Sequence, residues 1–180
     1  MKRIKNWKIG LIIISVLFLS GCATVQLVGK PSSFKSLPSV VAIGDITPAN
    51  EKVQIPSEEI KEGQKILYET FKKELPEFTV VRSIQDLPQG TEDYLLVKTK
   101  IRMYHEARPE MALTVLFVMS SQSAMEAEMV VAKHKGDEDL FKLHAAATGG
   151  CMWGKSAAYR TNLEGMAKKL AGTIKRYAGK

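Results

Sequence analysis

The sequence predicts an α+β domain, in which a mixed or mostly antiparallel sheet of about four to five strands carries two helices on one face. Two segments place apolar residues at helical spacing, and three longer segments alternate apolar and polar residues with a period of two. Along the chain the predicted order is strand, helix, four strands and helix. Four of the predicted strands follow one another without intervening helices. This order favours a mixed or antiparallel sheet, because neighbouring parallel strands need a crossover connection between them.

The first predicted helix begins near Ser57. This serine follows Pro56 and precedes Glu58 and Glu59, which predicts an N-cap with acidic side chains at the positive end of the helix dipole. Pro76 forbids continuation. Its buried stripe is formed by apolar residues three and four positions apart: Ile60, Leu67, Phe71 and Leu75.

The second predicted helix closes the chain. Thr161 and Glu164 fit a capping box, which places the helix start near Asn162, whereas Tyr159 leaves an earlier start near Ser156 open. The stripe predicted to face the sheet consists of Leu163, Met166, Ala167, Leu170, Ile174 and Tyr177.

Five segments read as strands: residues 40–46, 78–81, 94–104, 125–131 and 141–147. In the third, the alternation predicts that Ile101 and Met103 face the core while Arg102 and Tyr104 face water. The last two segments form a hairpin, and pairing Lys133 with Phe141 keeps the apolar residues of both strands on one face.

The amino terminus has the layout of an export signal. Residues 1–21 contain a basic start, an apolar stretch from residue 9 to residue 18 and a small-residue end. The apolar stretch is shorter than the ~20 residues that a membrane-spanning helix needs. We therefore expect cleavage rather than a transmembrane helix.

Leu19-Ser20-Gly21-Cys22 resembles the lipobox of bacterial lipoproteins. The resemblance implies that Cys22 is acylated and becomes the first residue after cleavage. In Gram-negative lipoproteins an aspartate at the next position is the usual signal for inner-membrane retention, so Ala23 implies the periplasmic face of the outer membrane. In a Gram-positive source the anchor implies the outer face of the cytoplasmic membrane. We expect residues 22–38 to form a flexible tether and residues 39–180 to form a single domain.

Charge and cysteine content narrow the function classes. The 180-residue chain has a formal net charge of +7, and cleavage of the signal removes four basic residues, leaving +3. No concentrated basic patch remains, which argues against a nucleic-acid partner. Once Cys22 carries lipid, Cys151 is the one remaining thiol, so no intramolecular disulfide can form. Burial is the interpretation we favour for Cys151, and an intermolecular partner is the alternative.

The element order over residues 40–177, together with the lipobox and the size, resembles the envelope lipoproteins whose domain is similar to CsgG and to the amino-terminal domain of TolB. Members of that group act as secretion-pore subunits, assembly factors or synthase activators. The resemblance therefore implies an envelope role and leaves the particular task open.

Residues 149–156 read GGCMWGKS, the G-x-x-x-x-G-K-[ST] pattern of phosphate-binding loops. Such loops also need an acidic residue at the end of another strand to hold the metal ion, and Asp45 is the one candidate. The compartment that the lipobox implies lacks ATP. We therefore expect a strand-to-helix connection here, with no nucleotide and no cofactor.

Metal and hydrolase chemistry have little support. In the predicted hairpin, His134 and His144 lie four residues apart along the strands, about 13 Å at 3.3 Å per residue, too far to share one ion. His105 is the third and last histidine, and the nucleophile pattern G-x-S-x-G is absent. We expect no metal site and no enzymatic activity.

The segment MALTVLFVM, residues 111–119, is the most apolar stretch after the signal. It forms either a buried core element, an exposed surface that a partner covers, or a membrane-inserting strand. Trp153 is either a core residue or an interface anchor. The candidate partner-interface residues are Leu113, Val115, Leu116, Phe117, Val118 and Trp153.

These observations together predict a membrane-anchored lipoprotein that acts without enzymatic activity in envelope assembly, scaffolding or secretion, through self-association or an envelope protein partner. A periplasmic ligand- or glycan-binding domain, which could be catalytic, is the first alternative. An export-pore subunit is the second.

Overall fold

The computed structural model of the chain describes residues 23–28, 37–106, 122–133, 138–150 and 157–178. The strands are β1 Ala23–Val28, β2 Val40–Pro48, β3 Thr79–Val81, β4 Leu95–His105, β5 Gln122–Lys133 and β6 Glu138–Gly150. The helices are α1 Ser57–Glu74 and α2 Ala157–Ala178, and a short 3-10 turn spans Ile84–Asp86. Among the described residues, no helix combines the length and the apolarity that crossing a membrane requires.

The strands form one six-stranded sheet in the order β1-β6-β5-β4-β2-β3. β2 runs parallel to both β3 and β4, and the other neighbours are antiparallel. The parallel pairs arise because α1 carries the chain back across the sheet after β2, whereas β4, β5 and β6 follow one another directly. This mixed sheet confirms the predicted α+β class.

Both helices pack on the same face of the sheet. The predicted stripes of α1 and α2 are buried against the apolar faces of β2, β4, β5 and β6 in one cluster. The largest fully buried side chains of this core include Tyr159, Phe71, Leu67, Leu95, Met125, Met129, Leu143, Leu163 and Met166. Tyr177 extends the stripe at the far end of α2, where its ring lies 5.4 Å from that of Phe141.

The expectation of a flexible tether over residues 22–38 is wrong for residues 23–28, which form edge strand β1. Ala23 lies opposite Ala147, and Val28 lies opposite Lys142. The segment ATVQLV does alternate apolar and polar residues, and the side chains of Thr24 and Gln26 are exposed. Six residues are too few for this alternation to distinguish a strand from a tether. The segment is ordered because it pairs with the antiparallel edge of β6, and the sequence of residues 23–28 alone does not reveal that pairing.

A β-bulge reverses the alternation that the sequence predicts for the end of β4. Ile101 lies opposite Ala127, but Met103 lies opposite Glu126, so Arg102 is the extra residue. Met103 is therefore 45% exposed, whereas Tyr104 turns inward and its ring packs edge-on against Tyr159 at 5.7 Å. The predicted orientations of Met103 and Tyr104 are both wrong for this reason.

The register of the β5–β6 hairpin differs by two residues from the predicted pairing of Lys133 with Phe141. Phe141 lies opposite Val131, and beyond an irregularity between Val131 and Ala132 the register shifts by one further residue, so that Lys133 lies opposite Glu138. A shift of two preserves the faces, since side chains alternate with a period of two. The apolar residues of both strands therefore still face the core, although the connection is shorter than predicted.

The helix starts also differ from the predicted caps. Ser57 is the first residue of α1, after Pro56, and no side chain caps the helix there. α2 begins at Ala157, the earlier of the two alternatives, and the hydroxyl of Ser123 on β5 accepts a hydrogen bond from the Ala158 N–H at 3.1 Å. Asn162 lies inside the helix, and its amide donates to the carbonyl oxygens of Met125 and Ala145. Its apparent capping position was misleading, because this asparagine bonds to the sheet.

The two helices approach closely at Gly63 of α1. A β-carbon at this position would overlap the Tyr159 hydroxyl and would lie 2.8 Å from Ile46 Cδ1 and 2.9 Å from Leu163 Cδ1. Gly63 is thus the residue that lets α1 lie against both α2 and the sheet.

We predict that Gly63→Ala destabilises the protein by about 1–2 kcal/mol. The overpacking costs about 1–3 kcal/mol, and the better helix propensity of alanine offsets up to about 1 kcal/mol of that cost. Urea denaturation followed by circular dichroism measures the change in the free energy of unfolding.

Gly172→Ala is the matched control, because Gly172 is a helical glycine with open space around its Cα. It should stabilise the protein by up to about 1 kcal/mol. Tyr159→Phe removes the hydroxyl that an alanine at 63 would strike, so the Gly63→Ala change should be milder in that background. Equal effects of alanine at the two glycines would contradict the packing.

Candidate functional site

The sheet face opposite the helices is covered by no helix among the described residues, and we call it the open face. It carries Lys98, Lys100 and Arg102 on β4, Glu126, Glu128 and Val130 on β5, Lys142, His144 and Ala146 on β6, and Thr24 and Gln26 on β1. Among the described residues, Leu87 and Leu96 pack against Ala42, Val81 and Tyr94 and shield its far corner. Most of the polar side chains of the sheet therefore lie together on one surface.

Glu128 is the centre of the open face. Its Oε2 accepts a hydrogen bond from Nη2 of Arg102, and its Oε1 lies 2.8 Å from Nζ of Lys142. The residue is only 8% exposed, because its neighbours on both sides cover it. Each carboxylate oxygen thus has its own cation, which is the condition under which burial of a charge is tolerated.

The register of three strands brings these residues together. Lys100, Glu128 and His144 form one row across β4, β5 and β6, and Lys98, Val130 and Lys142 form the next. The ion pairs run diagonally between rows, from Glu128 to Lys142 and from Glu126 to His144. Long lysine stems lie on either side of Val130, which explains how an apolar residue on a solvated face is nearly buried.

The electrostatics of Glu128 involve two opposed effects. Burial acts to raise the pKa of its carboxyl group, but hydrogen bonds from Lys142 and Arg102, and the charges of both, outweigh burial and hold the pKa below its ordinary value. Glu128 is therefore a fixed negative charge at neutral pH and not a proton donor. It is suited to orienting Arg102, since the bulge places Arg102 directly beside it.

A second ion pair continues the network toward β1. Nε2 of His144 lies 2.7 Å from Oε1 of Glu126, and both side chains are about one third exposed. His105 is exposed at the end of β4. Within the described residues, no three histidine, cysteine or carboxylate side chains lie close enough to hold a metal ion.

Two of the cavities on the described surface have charged linings. One, of about 380 Å³, borders the open face and is lined by Ala49, Asn50, Lys100, Arg102 and Glu128. The other, of about 520 Å³, lies between α1 and the exposed edge of β2, and its lining residues are Asp45, Lys61, Gln64, Lys65, Tyr68, Glu69, Arg82 and Ser83. In the larger cleft, Gln64 donates to Asp45 at 3.1 Å and the Arg82 guanidinium lies 4.9 Å from the centre of the Tyr68 ring.

Two tyrosines and a glutamate form a buried polar cluster near the start of both helices. The hydroxyls of Tyr104 and Tyr159 and Oε2 of Glu59 have no hydrogen-bond partner among the described residues. Burial, with the nearby charges of Glu59 and Glu106, raises the pKa of Tyr104 to about 12. Burial also raises the pKa of Tyr159, with a smaller contribution from Glu59. Both phenols remain neutral at physiological pH.

The residues that the sequence singles out as sites are mostly outside the described residues. This applies to the lipidation residue Cys22, to Cys151, to His134 and to the whole interface set of Leu113, Val115, Leu116, Phe117, Val118 and Trp153. Of residues 149–156, only Gly149 and Gly150 are described, as the end of β6, and α2 begins at Ala157. The motif thus connects a strand to a helix, as predicted.

Asp45 lies apart from Gly149 and Gly150, the described residues of that motif. It lies at the bulge of β2 beside Gln64 of α1, and β5 and β4 separate β2 from β6. The one carboxylate that the sequence offered as a metal-holding partner for residues 149–156 is therefore engaged at a different part of the domain.

Sequence reasoning missed the network of Arg102, Glu128 and Lys142. The available signal was the pair of glutamates in β5, Glu126 and Glu128, within an otherwise apolar strand. The cationic partners of Glu128, Arg102 and Lys142, lie 26 and 14 residues from it along the chain, and the strand register brings them together.

No protein family and no curated protein matches the chain by sequence. Among solved structures, the fold is similar to the PelC dodecamer from Paraburkholderia phytofirmans, with a TM-score of 0.58 and 10% identity over 83% of this chain and 98% of that one. A variant of the same PelC gives a TM-score of 0.55 and 12% identity over the same shares. Lipoprotein GNA1162 from Neisseria meningitidis gives 0.42 and 11% identity over 79% and 100%. At these identities the likeness to PelC shows a shared fold.

We predict that the stability contributed by Glu128 depends on pH. Because the folded pKa lies below the unfolded value, the contribution is fully present above about pH 4.5 and is lost as the pH falls through the lower folded value. Glu128→Gln should cost about 1–3 kcal/mol at neutral pH and should flatten the acid limb of the stability curve. Urea midpoints measured between neutral and acid pH test both.

The control is Glu164→Gln, which removes an exposed pair with Lys168 on α2. Solvent screens exposed pairs of this kind, so the substitution should change the stability much less than Glu128→Gln does. If the two substitutions have the same effect at neutral pH, Glu128 does not organise the open face.

Proposed function

We propose that this protein is a lipid-anchored subunit of the bacterial envelope that works without enzymatic activity, as an assembly, scaffolding or secretion-accessory component. It does so by associating with copies of itself. The observation that carries this proposal is the fold shared with PelC over most of both chains, since that protein is a dodecamer. The lipobox at Cys22 gives independent support for the envelope location.

The position of β1 determines how far the lipid on Cys22 lies from the domain. Ala23 is already paired with Ala147 in the sheet, so an acylated Cys22 would have no tether between the lipid and the domain. One residue spans at most about 3.8 Å between Cα atoms. We infer that the domain is held directly at the membrane, on the periplasmic face of the outer membrane if the source is Gram-negative.

The described residues on either side of both candidate association segments lie at one end of the domain, the end at which β1 begins. The described residues that flank the apolar segment 111–119 are Glu106 and Gln122, and those that flank Trp153 are Gly150 and Ala157. All four lie at the end of the sheet where β1 begins, because Gln122 is opposite Gly150 and Ala23 is level with Met125. We propose that these two segments, which connect described residues at the anchored end of the domain, associate with the same segments of neighbouring copies.

A ligand-binding role is the second candidate, and the cleft beside α1 favours it. An aromatic ring at Tyr68, a carboxylate at Asp45 and cations at Lys61, Lys65 and Arg82 meet around a cavity of about 520 Å³. Convergent polar groups beside an aromatic ring are typical of small-molecule or glycan sites. Saturable binding of a soluble sugar, lost in Tyr68→Ala, would favour this role.

We predict that the lipidated protein in mild detergent is a discrete homo-oligomer by analytical ultracentrifugation. Leu116→Asp or Trp153→Ala should reduce the assembly to smaller species, since a buried charge or a lost aromatic anchor costs about 2 kcal/mol or more per interface. Circular dichroism must show an unchanged fold. Lys175→Gln, at the exposed end of α2, is the control. A monomer at high concentration would remove the proposal.

We predict that Cys22→Ser abolishes the membrane anchor. The wild-type chain should carry acyl groups by mass spectrometry and remain in the membrane fraction after a high-salt wash, because two or more chains anchor stably whereas one does not. The substituted chain should be released by the same wash. Retention of the substituted chain would show that another segment provides the anchor.

A further inference from the structure

The open face presents unbalanced positive charge. Both carboxylates on it are used internally, Glu128 by Arg102 and Lys142 and Glu126 by His144. Lys98 and Lys100 are exposed and pair with no side chain in the described part of the chain. Because Glu128 is nearly buried while Arg102 is about half exposed, the surface that meets solvent is formed by cations.

A cavity focuses these cations. Ala49, Asn50, Lys100, Arg102 and Glu128 line about 380 Å³ at the border of the open face. Both oxygens of the Glu128 carboxylate are already engaged, by Arg102 and by Lys142. The Asn50 side-chain oxygen accepts a hydrogen bond from the Lys52 N–H at 3.0 Å, which leaves its amide nitrogen as a donor. Glu128 holds one nitrogen of Arg102, so the other guanidinium donors are oriented in advance. Two cations and an amide donor match the oxygens of a phosphate group.

The position of Cys22, next to Ala23, determines which anions lie close to the open face. Ala23 is level with Met125 through Ala147, and Lys100 is level with Glu128. Three residues at ~3.3 Å along the strand and three strand spacings of ~4.8 Å place Lys100 roughly 18 Å from Ala23. Cys22 precedes Ala23 directly. A membrane that holds lipid on Cys22 is therefore always within reach of this surface.

We propose that the open face is a membrane-docking surface, on which Lys98, Lys100, Arg102 and Lys142 bind the phosphates of anionic lipid headgroups, with one phosphate in the cavity of Asn50, Lys100 and Arg102. The proposal rests on the proposed function in one respect, the lipid on Cys22. Once that anchor is inserted, each cation acts at high effective concentration, so weak contacts suffice to fix the orientation of the domain.

The helix layer is also rich in cations but differs in kind. Arg160 pairs with Glu62, and Lys168 pairs with Glu164. Lys175 and Arg176 occupy the last turn of α2, where they offset the helix dipole. That turn lies at the end of the domain away from Ala23. These two residues therefore provide a matched control with the same charge.

The test uses the mature chain with Cys22→Ser, which keeps every described element and removes the acyl anchor. Co-sedimentation measures its partition onto vesicles of phosphatidylcholine with and without phosphatidylglycerol. We expect binding only to the anionic vesicles, weakening as salt rises. The double substitution Lys98→Gln with Lys100→Gln should lower the partition coefficient roughly 10- to 30-fold, since each basic residue near the surface contributes about a factor of five.

The control pair Lys175→Gln with Arg176→Gln should change the partition coefficient less than about threefold, because those residues lie far from the anchor. Equal losses in the two double variants would overturn the proposal, as would equal binding to neutral vesicles. Competition by inorganic phosphate without a salt effect would also overturn it, because the site would then be one for a free anion. Acylation of Cys22 and self-association are measured separately, so failure here leaves the proposed function standing.

Discussion

The packing of both helices against a single face of the sheet is the interaction on which the remaining structure depends. It leaves a six-stranded sheet with one dry face and one face that must be stable in contact with water. On the dry face, Gly63 admits α1 and the buried Asn162 ties α2 to the carbonyls of β5 and β6. On the other face, the described residues form no second helical layer, and cations and carboxylates meet there instead. The apolar character of one face and the charged character of the other thus both follow from the packing of the two helices on a single face.

The periodicities predicted the dry face well. Residues that alternate in β5 and β6 or recur at helical spacing in α1 and α2 are buried where the pattern placed them, because burial requires many apolar residues at regular spacing. Local exceptions could not be predicted. The bulge at Arg102 is one extra residue that no composition marks, and it reverses Met103 and Tyr104. The register of the β5–β6 hairpin depends on the length of its turn. The six residues of β1 form a strand only through pairing with β6, which lies far along the chain.

The candidate site is harder to predict from the sequence, because the alignment of three strands brings its residues together and no sequence motif marks them. Arg102, Glu128 and Lys142 meet only after three strands are aligned, and each by itself reads as an ordinary charged residue of a solvated strand face. Glu126 and Glu128 did indicate that one face of β5 is polar, and the register places both on the open face, where Glu128 is nearly buried by its partners. The motif that looked most like a site, residues 149–156, connects β6 to α2, and its proposed partner Asp45 is bonded to Gln64. Spacing along the chain therefore does not indicate the network of Arg102, Glu128 and Lys142.

The charge network also limits how copies of this domain can associate. Stacking two open faces would bury Arg102, Glu128 and Lys142 together with the unpaired Lys98 and Lys100, and the desolvation of charges without new partners opposes that arrangement by several kcal/mol. Like charges would also face one another. A surface of this kind suits an anionic partner such as a lipid headgroup layer, whereas an interface between copies needs apolar area. We therefore infer that the open face serves membrane contact and that self-association uses another part of the molecule.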